Sequence, residues 1–105
     1  MMFYVLEEDK PLADELHRFI ISQRSSLVHQ NMLALQFTTD GNYYKAGECD
    51  KQVSAIRLEI AKAFLDLDQL QAKRVAAERE GKVAKVHLEI VKNHNNLVMK
   101  MGGRK

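Results

Sequence analysis

The sequence AGECDKQVSAIRLEIAKAFLDLDQL, residues 46–70, carries the pattern that decides the fold. Its apolar residues recur at alternating steps of three and four, and they are Ala46, Cys49, Val53, Ile56, Ile60, Ala63, Leu67 and Leu70. This 3.5-residue repeat is typical of the seam of a coiled coil or an elongated helical bundle, and Phe64 widens the stripe on one side. We therefore predict a helical core formed by Val53, Ile56, Ile60, Phe64, Leu67 and Leu70.

The same register continues beyond Leu70 and predicts a very long second helix. Gly81 falls inside it, but a glycine costs a helix only about 1 kcal/mol relative to alanine. Arg74, Glu78 and Lys82 also form an i,i+4 ladder of opposite charges across the glycine. We predict one helix over residues 43–99, bent near Gly81. The alternative is a break at Gly81, after which a third helix folds back to complete a three-helix bundle.

The first half of the chain predicts a partner for this helix. Pro11 marks a helix entry, and apolar residues then recur at helical steps, which predicts helix 1 over residues 11–38. The turn formers of residues 38–42, with Gly41 among them, form a short loop, so the two helices lie antiparallel. Residues 1–10 are expected to be extended and residues 100–105 to form a flexible basic tail. The predicted fold is a single all-α domain, a coiled-coil-like helical hairpin.

Length and composition narrow the function classes. The 105 residues contain no apolar run of the roughly 18 residues that a membrane-spanning helix requires, so no membrane contact is expected. The N-terminus lacks the pattern of a secretory signal, and Cys49, the single cysteine, forms no internal disulfide. These features favour a cytoplasmic protein.

The unequal length of the two helices predicts self-association. Helix 1 covers only about half of a helix over residues 43–99, so the remaining apolar side chains require a second chain. The residues expected at this oligomer or partner interface are Val83, Ile90, Val91, Leu97 and Val98.

Charge is distributed unevenly along the chain. Residues 1–70 contain seven basic and eleven acidic residues, whereas residues 71–105 contain nine basic and three acidic. The basic face of the second helix and tail comprises Lys82, Lys85, Lys92, Lys100, Arg104 and Lys105. This face supports an alternative function, a nucleic-acid-binding helical dimer that neutralises phosphates, although no aromatic residue for base stacking follows Phe64.

The residue types that carry chemistry do not form a recognisable site. His87 and His94 are two helical turns apart on the predicted helix, roughly 10 Å, which is too far to share one metal ion. Cys49 lies on the apolar seam, where cysteine behaves as a small hydrophobe. We therefore expect no metal, no cofactor and no enzymatic activity. The predicted function is a small protein-interaction module (an adaptor, a chaperone-like protein or an inhibitor) that acts through an oligomeric helical surface.

Overall fold

The computed structural model describes residues 1–92 of the chain. The elements follow in the order β1 (Met2–Leu6), a 3₁₀ turn (Glu7–Asp9), α1 (Lys10–Thr39), α2 (Tyr43–Arg79) and β2 (Val86–Ile90). The chain divides into two compact units. The sheet unit contains Met1–Asp14 and the chain from Leu67 onward, and the hairpin unit contains Glu15–Asp66.

In the hairpin unit the two helices pack against each other, which confirms the predicted helical hairpin. Most of its buried positions hold small side chains, and the buried residues are Ile20, Ala34, Ala46, Cys49, Val53 and Ala63. Cations lie over two aromatic rings at this contact. The Arg24 guanidinium is 5.7 Å from the Phe64 ring centroid, and Lys45 Nζ is 5.6 Å from that of Phe37.

A positive-φ glycine ends α1. Gly41 has a φ of 79°, and its N–H donates to the Thr38 carbonyl while the N–H of Asn42 donates to the Phe37 carbonyl. This pair of bonds is a Schellman motif, which satisfies carbonyls at the end of a helix. Asn42 caps the N-terminus of α2, because its side-chain oxygen accepts a hydrogen bond from the N–H of Lys45 at 3.2 Å.

Gly81 ends α2 with the same bonding pattern. Its φ is 70°, its N–H donates to the Glu78 carbonyl, and the N–H of Lys82 donates to the Ala77 carbonyl. The prediction of a helix over residues 43–99 is therefore wrong, since α2 ends at Arg79. The glycine adopts the left-handed conformation that stops a helix, where a bend within a continuous helix was expected.

After Gly81 the chain returns as a strand. β2 pairs antiparallel with β1 so that Phe3 faces Glu89, Tyr4 faces Leu88 and Val5 faces His87. The expectation of an all-α fold is corrected by this sheet. The alternative of a third helix is also wrong for residues 1–92, where no helix follows Gly81. The predicted extended segment at residues 1–10 contains β1, while the predicted tail at residues 100–105 lies outside the described residues.

The sheet unit encloses its own core. Its buried apolar residues come from the strands and from both helices, and they are Phe3, Val5, Leu6, Ala13, Leu67 and Val91. The free edge of β1 is held by α2, where Gln71 Oε1 accepts the N–H of Tyr4 and Arg74 Nε donates to the Tyr4 carbonyl, each at 2.8 Å. These bonds satisfy backbone groups that an edge strand would otherwise expose.

Substitution of Gly81 tests whether this residue stops the helix. Gly81→Ala should lower the free energy of unfolding by about 1 kcal/mol, because an alanine is strained at this positive φ. The matched control is Gly47→Ala within α2, where a new Cβ meets open space and should stabilise the protein by about 0.5–1 kcal/mol. Urea unfolding of both variants measures the difference. A stabilising Gly81→Ala would contradict the assigned conformation.

A second pair of substitutions tests the core of the sheet unit. Leu67 is fully buried, so Leu67→Ala should lower the free energy of unfolding by about 2–5 kcal/mol. Leu65, two residues earlier, is exposed, and Leu65→Ala should change the free energy of unfolding by no more than about 0.5 kcal/mol. Equal effects in a denaturant titration would show that the two residues are not on opposite sides of α2.

Candidate functional site

The apolar residues assigned to a helical interface do not lie on a helix. Val83 lies in the connection after α2, Ile90 is exposed at the end of β2, and Val91 is fully buried in the sheet unit. Leu97 and Val98 lie outside the described residues. The predicted helical setting of this surface is wrong for its described members, because Gly81 ends α2 before any of them.

The basic face is dispersed for the same reason. Lys82 and Lys85 lie in the connection between α2 and β2, and Lys92 follows β2. Lys82 Nζ also forms an ion pair with Glu80 at 2.8 Å. Lys100, Arg104 and Lys105 lie outside the described residues. The helical row of lysines that motivated a nucleic-acid interface is therefore absent from residues 1–92.

The residues assigned to the helical core all lie on α2. Val53 and Leu67 are buried, whereas the other four are half-buried, and they are Ile56, Ile60, Phe64 and Leu70. Leu67 and Leu70 belong to the sheet unit, and the other four residues belong to the hairpin unit. The seam therefore supplies side chains to two different cores.

α1 carries a second apolar row that the sequence analysis did not identify. Ile21, Val28, Met32 and Leu35, called here the outer stripe, are all exposed. At 100° per residue they fall within a sector of about 60° on the helix, a different face from the buried Ile20 and Ala34. Met32 and Leu35 are the most exposed, at 65% and 69%. Their spacing of seven, four and three residues is the signal that identifies the stripe.

Three of the four residues of the outer stripe, Val28, Met32 and Leu35, lie in a part of α1 without formal charge. Residues 25–39 contain no Asp, Glu, Lys or Arg, and His29 is the one titratable side chain among them. A helix surface that faces water usually carries charged residues, whereas the centre of a protein interface is depleted of them and enriched in methionine. This combination marks the outer stripe as a candidate contact surface.

On β2 the apolar and polar residues have the reverse of the usual placement, whereas β1 buries the apolar Phe3 and Val5. Met2, Tyr4, Val86, Leu88 and Ile90 are exposed, whereas Glu89, facing Phe3 across the strands, is buried with 5% exposure. An antiparallel sheet normally presents apolar side chains to the core and polar ones to solvent. The polar residues on the inner side therefore require a specific structural partner.

That partner is the beginning of α1. Nε2 of His87 lies 3.0 Å from Glu89 Oε1 and 3.9 Å from Asp14 Oδ1. One side-chain atom of each residue that could bind a metal ion (a carboxylate oxygen or a ring nitrogen) lies within 4.8 Å of the corresponding atoms of the other two. These three residues, called here the carboxylate–histidine cluster, all belong to the sheet unit. A nitrogen and two oxygens that converge in this way can bind a proton or a metal ion.

Lys10 fixes the orientation of Asp14. Its Nζ donates to Oδ2 at 2.9 Å, which leaves Oδ1 directed to His87. The hydrogen bond from Lys10 lowers the pKa of Asp14, and a hydrogen bond with Glu89 and the charge of His87 act in the same direction. The same contact with Asp14 raises the pKa of Lys10.

This cluster was not predicted from the sequence, because residues 86–90 were expected on a helix. On a helix His87 and Glu89 point to different sides, whereas on a strand residues two apart share one face. The available signal was the strict alternation of apolar and polar residues in Val86-His87-Leu88-Glu89-Ile90, which is typical of a strand. Nothing in the sequence indicates that Asp14 would join them.

Comparison with protein-family models, curated proteins and solved structures gives no match to this chain. Neither helix within residues 1–92 combines the length and apolar character required to cross a membrane.

The lowered pKa of Asp14 predicts a contribution to stability that acid removes. It is complete at neutral pH, declines as the pH falls through the ordinary aspartate value of about 4, and is lost below the lower pKa of the folded state. The difference in unfolding free energy between the wild type and Asp14→Asn should therefore be larger at pH 6 than at about pH 2, because the carboxylate of Asp14 becomes increasingly protonated as the pH falls.

Lys10→Met serves as a companion variant in the same urea titrations. It removes the largest cause of the Asp14 shift, so it should weaken the same acid dependence. If the difference in unfolding free energy between the wild type and Asp14→Asn is the same at both pH values, the assigned contact is contradicted.

Proposed function

We propose that this chain is a small non-enzymatic helical module that acts through protein–protein contact and associates with a second copy of itself along the outer stripe of α1. The observation that carries the proposal is the charge-free surface of residues 25–39, on which Met32 and Leu35 are largely exposed. Removing apolar area from water stabilises a complex by about 25 cal/mol per Å², less the cost of association.

The absence of charge favours a copy of the same chain as the partner. In a two-fold symmetric dimer the same patch contacts itself, so each charged residue near the axis meets its own counterpart. Like charges in that position repel, whereas an uncharged patch avoids the repulsion. Residues 25–39 meet this requirement over their whole length.

The spacing of the stripe suggests an antiparallel arrangement. Ile21 and Leu35 each lie seven residues from Val28, one before it and one after it. If two copies of α1 cross at Val28, Ile21 of one copy lies near Leu35 of the other, so these apolar residues meet on both sides of the Val28 pair. The seven-residue spacing also matches the repeat by which paired helices remain in contact.

The non-enzymatic character of the module rests on the sequence pattern. Cys49, the single cysteine, has a buried side chain among the small residues of the hairpin unit. A buried thiol in such surroundings packs as a small hydrophobe. A cytoplasmic location remains a prediction from the sequence.

Opposite charges at Val28 test this proposal. The wild-type chain should form a dimer in sedimentation equilibrium, and Val28→Glu and Val28→Lys should each weaken the dimer by at least about tenfold, because each places two like charges together at the axis. An equimolar mixture of the two variants should recover the dimer, since unlike charges then face each other.

Leu58→Glu provides the control. Leu58 is 72% exposed on α2, and its neighbours Arg57 and Glu59 are charged. This variant should dimerise as the wild type does. The proposal fails if the wild type is a monomer at concentrations of about 0.5 mM, which correspond to less than about 5 kcal/mol of association, or if Leu58→Glu disrupts the dimer while the Val28 variants retain it.

A further inference from the structure

Glu89 is the one buried charged side chain that the structure shows in residues 1–92. It lies on the inner side of the sheet, opposite Phe3 and two residues before the fully buried Val91. An ionised carboxylate in such a position is strongly unfavourable unless hydrogen bonds and opposite charge compensate for the lost hydration. The groups around Glu89 therefore show what it can bind.

The surroundings of Glu89 hold a second carboxylate. Asp14 lies beside it, because one side-chain ligand atom each of Asp14, His87 and Glu89 lies within 4.8 Å of the other two. His87, two residues before Glu89 on the same face of β2, adds an imidazole nitrogen at 3.0 Å. Two carboxylates and an imidazole that converge in this way form a ligand set that a divalent cation can occupy.

The distances agree with such a site. Ligands bound at about 2.0–2.2 Å in tetrahedral geometry lie about 3.4 Å from one another. Nε2 of His87 lies 3.0 Å from Glu89 Oε1 and 3.9 Å from Asp14 Oδ1, and the ligand atoms of the three residues all lie within 4.8 Å of one another, so side-chain movements can bring them to that spacing.

Lys10 provides the outer-shell contact that metal ligands usually have. It donates to Oδ2 of Asp14, so the other oxygen, Oδ1, remains directed to the imidazole. Partners of this kind hold a ligand in the orientation that coordination requires. The backbone supports the other two ligands, because β2 is hydrogen-bonded to β1 on both sides of them.

We propose that Asp14, His87 and Glu89 bind a divalent cation of the zinc class, which would join β2 to the beginning of α1. One imidazole and two carboxylates suit Zn²⁺ better than Mg²⁺ or Ca²⁺, which prefer oxygen ligands alone. Three protein ligands leave the fourth tetrahedral position to water. The site is independent of the outer stripe, so it stands or falls separately from the proposed dimer.

Isothermal titration calorimetry, with ZnCl₂ added to the metal-free full-length chain, tests the site. The expected result is saturable binding of one ion per chain. Asp14→Asn and Glu89→Gln keep the shape of each side chain but remove its charge, and each should weaken binding by at least about tenfold. Mg²⁺ in place of Zn²⁺ should bind far more weakly.

Two histidine substitutions control for binding elsewhere on the chain. His29→Gln changes an exposed residue of α1, and His94→Gln changes a residue outside the described part. Both variants should bind Zn²⁺ as the wild type does. Circular dichroism establishes that each variant folds. Because Asp14 is only half-buried, Asp14→Asn still tests the site if Glu89→Gln unfolds the chain.

The site would be overturned by the absence of saturable Zn²⁺ binding, in which case the three residues form an ion-pair network only. It would also be overturned if Asp14→Asn and Glu89→Gln, both folded, bound Zn²⁺ as tightly as the wild type. Loss of binding in His94→Gln with retention in Asp14→Asn would assign the ion to another part of the chain.

Discussion

The left-handed conformation of Gly81 is the constraint on which the rest of the sheet unit depends. With a φ of 70° it ends α2 through two hydrogen bonds to the Glu78 and Ala77 carbonyls, and the chain is then free to return to β1 as β2. A continuous helix would have carried residues 86–90 away from β1. The return forms a two-stranded sheet, which is stable because helices cover its inner face and Val5, Leu67 and Val91 become fully buried there.

The register of that sheet determines where polar groups lie. Because residues two apart share a face, burial of Phe3 and Val5 also places Glu89 and His87 on the inner side, opposite them. A shift of one residue would instead bury Leu88 and Ile90, which is favourable for apolar burial. The observed register is compatible with the core because Asp14, held by Lys10, places a carboxylate beside the polar pair, whose own side chains contact each other at 3.0 Å.

The sequence predicts the local features well and the long-range ones poorly. The α2 seam and the Gly41 turn follow from spacing and from single-residue conformational preferences. Gly81 carries the same signal as Gly41, but the ladder of Arg74, Glu78 and Lys82 obscured it; such pairs contribute only a few tenths of a kcal/mol each. In the structure Lys82 pairs with Glu80. The meeting of Asp14 with β2 depends on strand pairing, which no local pattern encodes.

The strand pairing is tested most directly by nuclear Overhauser effects between α-protons. Val91 and Met1 exchange backbone hydrogen bonds, so Tyr4 and Leu88 form a pair without them, in which the two α-carbons approach most closely. The pairing of β1 with β2 predicts a strong cross-peak between the α-protons of Tyr4 and Leu88. Sequential amide–amide cross-peaks typical of a helix across residues 81–90, with no cross-peak between Tyr4 and Leu88, would contradict it.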